Sequence, residues 1–196
     1  MVVVGKIPPE TAFSAGLHAS GKEFLGGVGS WRPETVLKGL AGLLASRGVR
    51  LLSLARVFRD DIARERVYTR RAPDERERSD IAAGMAAARR LASLRIGQTL
   101  TVARGMIVAV EAAEGTDLTI ERSGRCCRGF VVVKAAGRSK DVRFDLPTVG
   151  PGTIRAMGGA GGAVLAVESG RTIIVNGEET VAACDRLGIA LVGVRP

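Results

Sequence analysis

The sequence predicts an α/β protein whose mixed sheet carries helices on its faces. Short runs rich in Val, Ile and Leu recur along the chain, at residues 2–4, 130–134, 163–167, 172–175 and 189–194. Stretches with apolar residues at helical spacing separate them, and Arg104-Gly105 joins two further strand-like runs as a hairpin would. Alternation of strand and helix builds a parallel sheet, and an intercalated hairpin makes it mixed.

The elements follow in order. Val2-Val3-Val4 reads as a buried strand ending at Gly5-Lys6, and Pro8-Pro9 with the glycine-rich run at 16–29 reads as irregular or weakly helical. Pro33 opens a helix with Val36, Leu37, Leu40, Leu43 and Leu44 on one face, and Gly48 closes it. Residues 49–54 then read as a strand and residues 57–62 as a short helix. The polar stretch Tyr68-Thr-Arg-Arg-Ala-Pro73 reads as a linker, which divides the chain into residues 1–67 and 68–196. From Asp74 a long helix runs to Leu94, with acids in its first turns and arginines near its end as its dipole favours. Strands at 98–103 and 106–111, a helix from Thr116, a strand at 130–134, a helix from Pro151, strands at 163–167 and 172–175, a helix at 178–187 and a strand at 189–194 complete the chain.

Composition narrows the function classes. Of 196 residues 46% are hydrophobic, enough to bury a core. The formal charge is +9, but much of the basic excess is interleaved with acids, as in Asp-Glu-Arg-Glu-Arg at 74–78. The aromatics Phe13, Phe24, Trp31, Phe58, Tyr68, Phe130 and Phe144 are scattered, without the pattern of a base-stacking surface. Nucleic acid is therefore not the expected partner; a phosphorylated small ligand or an anionic membrane surface accounts for the excess equally well. Cys126, Cys127 and Cys184 have neither metal-ligand spacing nor the pairing of a disulfide framework, and they read as small core residues in a reduced compartment, with the cytoplasm as the expected location. No run reaches transmembrane length.

Candidate chemistry gathers at strand exits. Asp145 stands between a short strand and a turn rich in Gly and Pro, where Pro147 suits a strand end and Pro151 the first position of a helix. Ligands of α/β proteins collect outside the carboxyl ends of strands, and glycine amides such as those of Gly150 and Gly152 can approach an anion there. Glu114, Gly115, Thr116 and Asp117 fall where a strand gives way to a helix: Thr116 or Asp117 caps it, or the turn holds an anion. Lys134, ending a Val-rich strand, is a snorkelling edge lysine or a phosphate clamp facing Asp145. Glu168, at another strand end, is a metal ligand or a solvent-facing terminus. Gly16-Leu-His-Ala-Ser-Gly-Lys22 matches most of a phosphate-binding P-loop, but Glu23 follows where Ser or Thr is needed and no buried strand precedes it. His18, the sole histidine, reads as a surface residue.

Glu114-Gly-Thr-Asp117, Val131-Val-Val-Lys134, Arg143-Phe-Asp-Leu-Pro-Thr-Val-Gly-Pro-Gly-Thr153, Ala166-Val-Glu-Ser-Gly170 and Leu187-Gly-Ile-Ala-Leu-Val-Gly193, with Thr69-Arg-Arg-Ala-Pro73, Ser79-Asp-Ile-Ala82 and Ile96-Gly-Gln98 upstream, occur in an order that resembles the LpxI-type UDP-2,3-diacylglucosamine pyrophosphatases. The match covers nearly all of residues 68–196, and Val4-Gly-Lys6 is similar to a strand-end lysine of that family's first domain. The resemblance implies an incomplete Rossmann-like N-terminal domain followed by a mixed-sheet α/β catalytic domain. Family members begin with an additional strand, a glycine-rich turn and further helices ahead of the strand that opens this chain. The stretch between Glu121 and Phe130 is short, and Arg138-Ser-Lys140 stands where the family tends to have a Lys-Pro turn.

The resemblance also implies an activity: Mg²⁺-dependent hydrolysis of the pyrophosphate of UDP-2,3-diacylglucosamine to UMP and 2,3-diacylglucosamine 1-phosphate (lipid X), in the cytoplasm and at the periphery of the inner membrane, for lipid A biosynthesis. The family's essential aspartate falls on Asp145, as catalytic residue and metal ligand. Substrate contacts fall on Lys6, Gln98, Glu114, Gly115, Thr116, Asp117, Lys134 and Thr148. The alternative is a non-catalytic protein that binds a phosphorylated lipid or nucleotide sugar. An incomplete sheet edge beginning at Val2 also predicts a homodimer or an unstable chain, because an unpaired apolar edge invites pairing.

Overall fold

The computed structural model describes residues 18–29, 33–137 and 146–195. They fall into two compact units, one up to Val57 and one from Phe58 onward. The strand at 2–4, Lys6 and Asp145 lie outside the described residues.

In the first unit α1 (Ala19–Val28) contacts α2 (Pro33–Ser46). Pro33 begins α2 as its fixed φ suggests. The segment that resembles a P-loop is helical from Ala19 through Lys22, and the Gly21 and Lys22 amides both donate to His18 O, at 2.9 and 3.0 Å, in a first helical turn rather than in a loop that follows a buried strand. The expected strand at 49–54 is not formed: a strand needs a hydrogen-bonded neighbour, and the segment pairs with none among the described residues. The short helix comes earlier than expected, as α3 (Leu54–Val57), and Ile62 instead forms an isolated bridge with Ile173.

The second unit is built on a six-stranded mixed sheet in the order β1-β8-β6-β4-β2-β3. Its strands are β1 (Arg66–Val67), β2 (Thr99–Ala103), β3 (Met106–Val110), β4 (Phe130–Lys134), β6 (Gly162–Glu168) and β8 (Ala190–Val194). The central β4, β6 and β8 are parallel, and β1, β2 and β3 add antiparallel edges. A parallel pair, β5 (Thr148–Val149) with β7 (Ile173–Ile174), forms a small second sheet.

The pleat sorts the core. Helix α4 (Glu75–Ser93) lays Ile81, Met85 and Ala88 on Leu100, Val102, Val131, Val133, Val164 and Ala166. On the opposite face α5 (Thr116–Cys126), α6 (Pro151–Ala160) and α7 (Gly177–Leu187) set Ile120, Ile154, Met157 and Cys184 on Phe130, Val132, Leu165, Val167 and Leu191. Strand β4 is thus buried on both faces, which is why its sequence is a continuous Val run rather than an alternation. Asp74 and Glu77 form a reciprocal capping box at the start of α4, and Pro151 occupies the first turn of α6. The turn between β2 and β3 holds Arg104 at φ 52° and Gly105 at φ 77°, the mirror-image turn that matches strand twist. Asp80, buried on α4, accepts both amides of that turn, at 2.9 Å from Arg104 and 2.6 Å from Gly105.

Candidate functional site

Three strands bring three side chains to one end of the sheet. Lys134 closes β4 and pairs with Thr99 at the start of β2, while the Glu111 amide donates to Thr99 O at 2.9 Å just beyond β3. Alternation along β4 turns Val131 and Val133 toward α4 and leaves Phe130, Val132 and Lys134 on the face covered by α5. Helix α5 begins at Thr116 above that same end. Its N-cap is Gly115, held at φ 84° and ψ 176°, a conformation that side chains with a Cβ avoid. The expected capping by Thr116 or Asp117 is therefore replaced: Thr116 is already helical and its hydroxyl turns to the sheet.

That hydroxyl is the centre of the cluster. Lys134 Nζ donates to Thr116 Oγ1 at 2.7 Å, and Thr116 Oγ1 donates to Glu111 Oε1 at 2.9 Å. Glu111 Oε2 accepts the Gln98 amide at 3.0 Å, and Thr99 Oγ1 lies 3.3 Å from Thr116 Oγ1. An ammonium can only donate, so Thr116 must accept from Lys134 and send its one proton to Glu111. Burial by itself would raise the Glu111 carboxyl; the positive charge of Lys134 and the hydrogen bonds from Gln98, Thr99 and Thr116 outweigh it and hold the group below the usual carboxylate value. Lys134 is buried, on an interior strand, rather than snorkelling from an edge.

The remaining candidates divide. Glu114 folds back on its own loop, accepting from the Ala112 amide at 3.1 Å, Thr119 Oγ1 at 3.3 Å and Arg122 Nη2 at 2.7 Å. The Gly115 amide donates to Ala112 O at 3.4 Å. The amides of Thr116, Asp117 and Leu118 precede the first helical hydrogen bond of α5, from Thr119 N to Gly115 O, and have no backbone acceptor among the described residues. Asp117 is exposed in that turn. Gln98 reaches the cluster through its backbone amide. Thr148 is exposed on β5 and donates to Leu146 O, apart from the cluster's hydrogen bonds. Glu168 is not solvent-facing: it is 2% exposed, accepts Arg89 Nε at 3.0 Å and the Ala136 amide at 2.7 Å, and so fastens the chain that leaves β4. Lys6 and Asp145 lie outside the described residues.

Glu111 is the cluster residue that sequence reasoning missed. Counting back evenly from the Arg104-Gly105 turn puts Thr99 opposite Val110, but a bulge in β3, at Val108 opposite Thr101 and Val102, advances the register by one residue. Glu111 thereby reaches Thr99. The signal that could have found it is its place three residues before Glu114-Gly-Thr-Asp117, at the strand end that leads into the same turn.

Among the described residues no group of three His, Cys, Asp or Glu side chains is placed to hold a metal ion, and no helix is long and apolar enough to cross a membrane.

The fold and the cluster define an α/β protein with a lysine–hydroxyl–carboxylate site at the carboxyl end of a parallel strand, beside a helix N-terminus. The chain belongs to the family described by the LpxI C-terminal domain, whose model matches residues 64–192. It is similar to the UDP-2,3-diacylglucosamine pyrophosphatase LpxI of Caulobacter vibrioides, at 38% identity over 133 residues. That alignment covers 63% of this chain and 48% of the relative, so the chain spans about half the length of the curated relative it matches.

Proposed function

We propose that the protein hydrolyses the pyrophosphate bond of UDP-2,3-diacylglucosamine to UMP and 2,3-diacylglucosamine 1-phosphate, as a cytoplasmic enzyme of lipid A biosynthesis. Its lipid-linked substrate would be met at the inner-membrane surface. The observation that supports this most directly is the buried Lys134, held against Thr116 in the Glu-Gly-Thr-Asp turn at the end of a parallel strand. A buried cation beside a helix N-terminus is an arrangement that favours a phosphoryl group.

The chain's own residues divide the work. Lys134 and the first amides of α5 would bind the phosphoryl oxygens, with Gln98, Glu114, Asp117, Thr148 and Lys6 as the further substrate contacts of this reading. Asp145 would orient the attacking water and hold Mg²⁺. Glu111, Glu114 and Glu168 are each engaged by hydrogen bonds within the fold, and reliance on Asp145 is consistent with Mg²⁺, which commonly rests on one or two carboxylates plus water and substrate phosphate. When bound, it would neutralise charge on the pyrophosphate. Hydrolysis adds one water across the P–O–P link, breaking one P–O bond and leaving two phosphate monoesters.

Release of UMP from UDP-2,3-diacylglucosamine tests the reading. Turnover that requires Mg²⁺ and is lost in Asp145→Ala is expected. Binding of the nucleotide lipid without turnover by the native chain would overturn hydrolysis in favour of a non-catalytic binding protein.

A further inference from the structure

The Lys134–Thr116–Glu111 chain carries a consequence for how tightly phosphate is held. Thr116 has one proton, and it points at Glu111 Oε1, 2.9 Å away, because Lys134 occupies the hydroxyl as a donor at 2.7 Å. The Thr116 hydroxyl therefore has nothing to donate to an incoming phosphoryl oxygen while Glu111 is ionised. Glu111 is also fixed in place, since its second oxygen is taken by the Gln98 amide at 3.0 Å. Charge follows the same line: a buried ammonium loses part of its pull on an external anion when a carboxylate lies one hydroxyl away.

We infer that Glu111 is a resident counter-anion, a positioning residue that occupies through Thr116 the hydrogen-bonding capacity and positive charge a phosphate would otherwise take. This rests on the reading that the Lys134 end of the sheet receives a phosphoryl group. Glu111 then weakens the hold of the site on a bare phosphate monoester, the form in which both products leave. The ordinary capping and packing of α5 do not need an acid at this position, because the helix is capped at Gly115 and packed through Ile120 and Ser123. The low proton affinity of the Glu111 carboxyl agrees with a group that remains anionic.

The test is binding of inorganic phosphate to the full chain at low salt, followed by ³¹P NMR, for the native protein, Glu111→Gln and Lys134→Met. Glu111→Gln should bind phosphate roughly threefold to tenfold tighter, the effect of removing one partly buried opposing charge, while Lys134→Met loses binding. A purely structural role for Glu111 predicts unchanged or weaker binding in Glu111→Gln; that result, with binding still lost in Lys134→Met, would overturn the inference and leave the phosphate site standing. Equal binding by native protein and Lys134→Met would remove the phosphate site itself, and the inference with it. Should Glu111→Gln fail to fold, the carboxyl ¹³C resonance of Glu111 in the native protein decides: it should move as phosphate saturates the site, and a stationary resonance overturns the inference.

Discussion

The carboxylate of Glu168 accepts from Arg89 Nε at 3.0 Å, across 79 residues of sequence, and joins the end of β6 to the last turns of α4. Its second oxygen takes the Ala136 amide, two residues beyond Lys134, and Arg89 Nη2 reaches Arg195 O at 2.9 Å. Removing one partner leaves a charge with poor compensation in a buried setting. Glu168→Leu or Arg89→Leu should each cost about 3 kcal/mol of unfolding free energy. The double variant should cost less than the sum of the two, because it leaves neither charge behind. Urea unfolding of the four proteins measures this, and additive losses would contradict the coupling.

Glu111 sets an acid-side dependence. Its folded carboxyl is held below the ordinary value of 4.5, so it contributes stability that is fully present above that value and is lost as pH falls through the lower, folded one. The stability difference between native protein and Glu111→Gln should therefore be constant from neutrality to about pH 5 and shrink below pH 4.5. Denaturant melts across that range would show it; a difference that grew on acidification would have the wrong sign.

Lys134 should matter more for the substrate than for the fold. Lys134→Met keeps the aliphatic stem in its buried slot and removes the charged donor to Thr116. Turnover should fall by roughly tenfold to a hundredfold, the worth of one charge-assisted hydrogen bond, while the thermal midpoint falls only modestly, because Glu111 keeps its hydrogen bonds from Gln98 and Thr116. Calorimetry and UMP release on the same preparation separate the two effects.

The β2–β3 turn depends on a single carboxylate from another element. Asp80→Ala leaves the amides of Arg104 and Gly105 without the acceptor that now holds them at 2.9 and 2.6 Å. A loss of about 2 kcal/mol is expected for hydrogen bonds to a charged group. Faster hydrogen exchange confined to β2 and β3 would accompany it.

The three thiols should react in a fixed order. Burial, aided by the Asp185 carboxylate, pushes the Cys184 thiol up to about 12, whereas Cys126 is exposed and Cys127 half-buried. At pH 8 a disulfide reagent should label Cys126 first and Cys184 only once denaturant opens the core. Early labelling of Cys184 would show that the face between β6, β8 and α7 opens locally.

Much of the second unit was legible in the sequence, because its signals are local. The Val run of β4, the Asp74–Glu77 cap, the Arg104-Gly105 hairpin and Pro151 at the start of α6 each follow from the physics of a few adjacent residues. The strand expected at 49–54 failed for the complementary reason: β propensity is a property of a segment, but a strand exists only with a neighbour to pair with. At the site, sequence alone placed Thr116 and Lys134 at strand exits. Tertiary structure decided what they do there. A one-residue bulge in β3, at Val108, carried Glu111 to Thr99, the pleat of β4 aimed Lys134 at the face where α5 begins, and burial turned Glu168 from a strand-end acid into a clamp. Local conformation is set by neighbours along the chain, whereas register, burial and charge pairing are set by neighbours that only folding supplies.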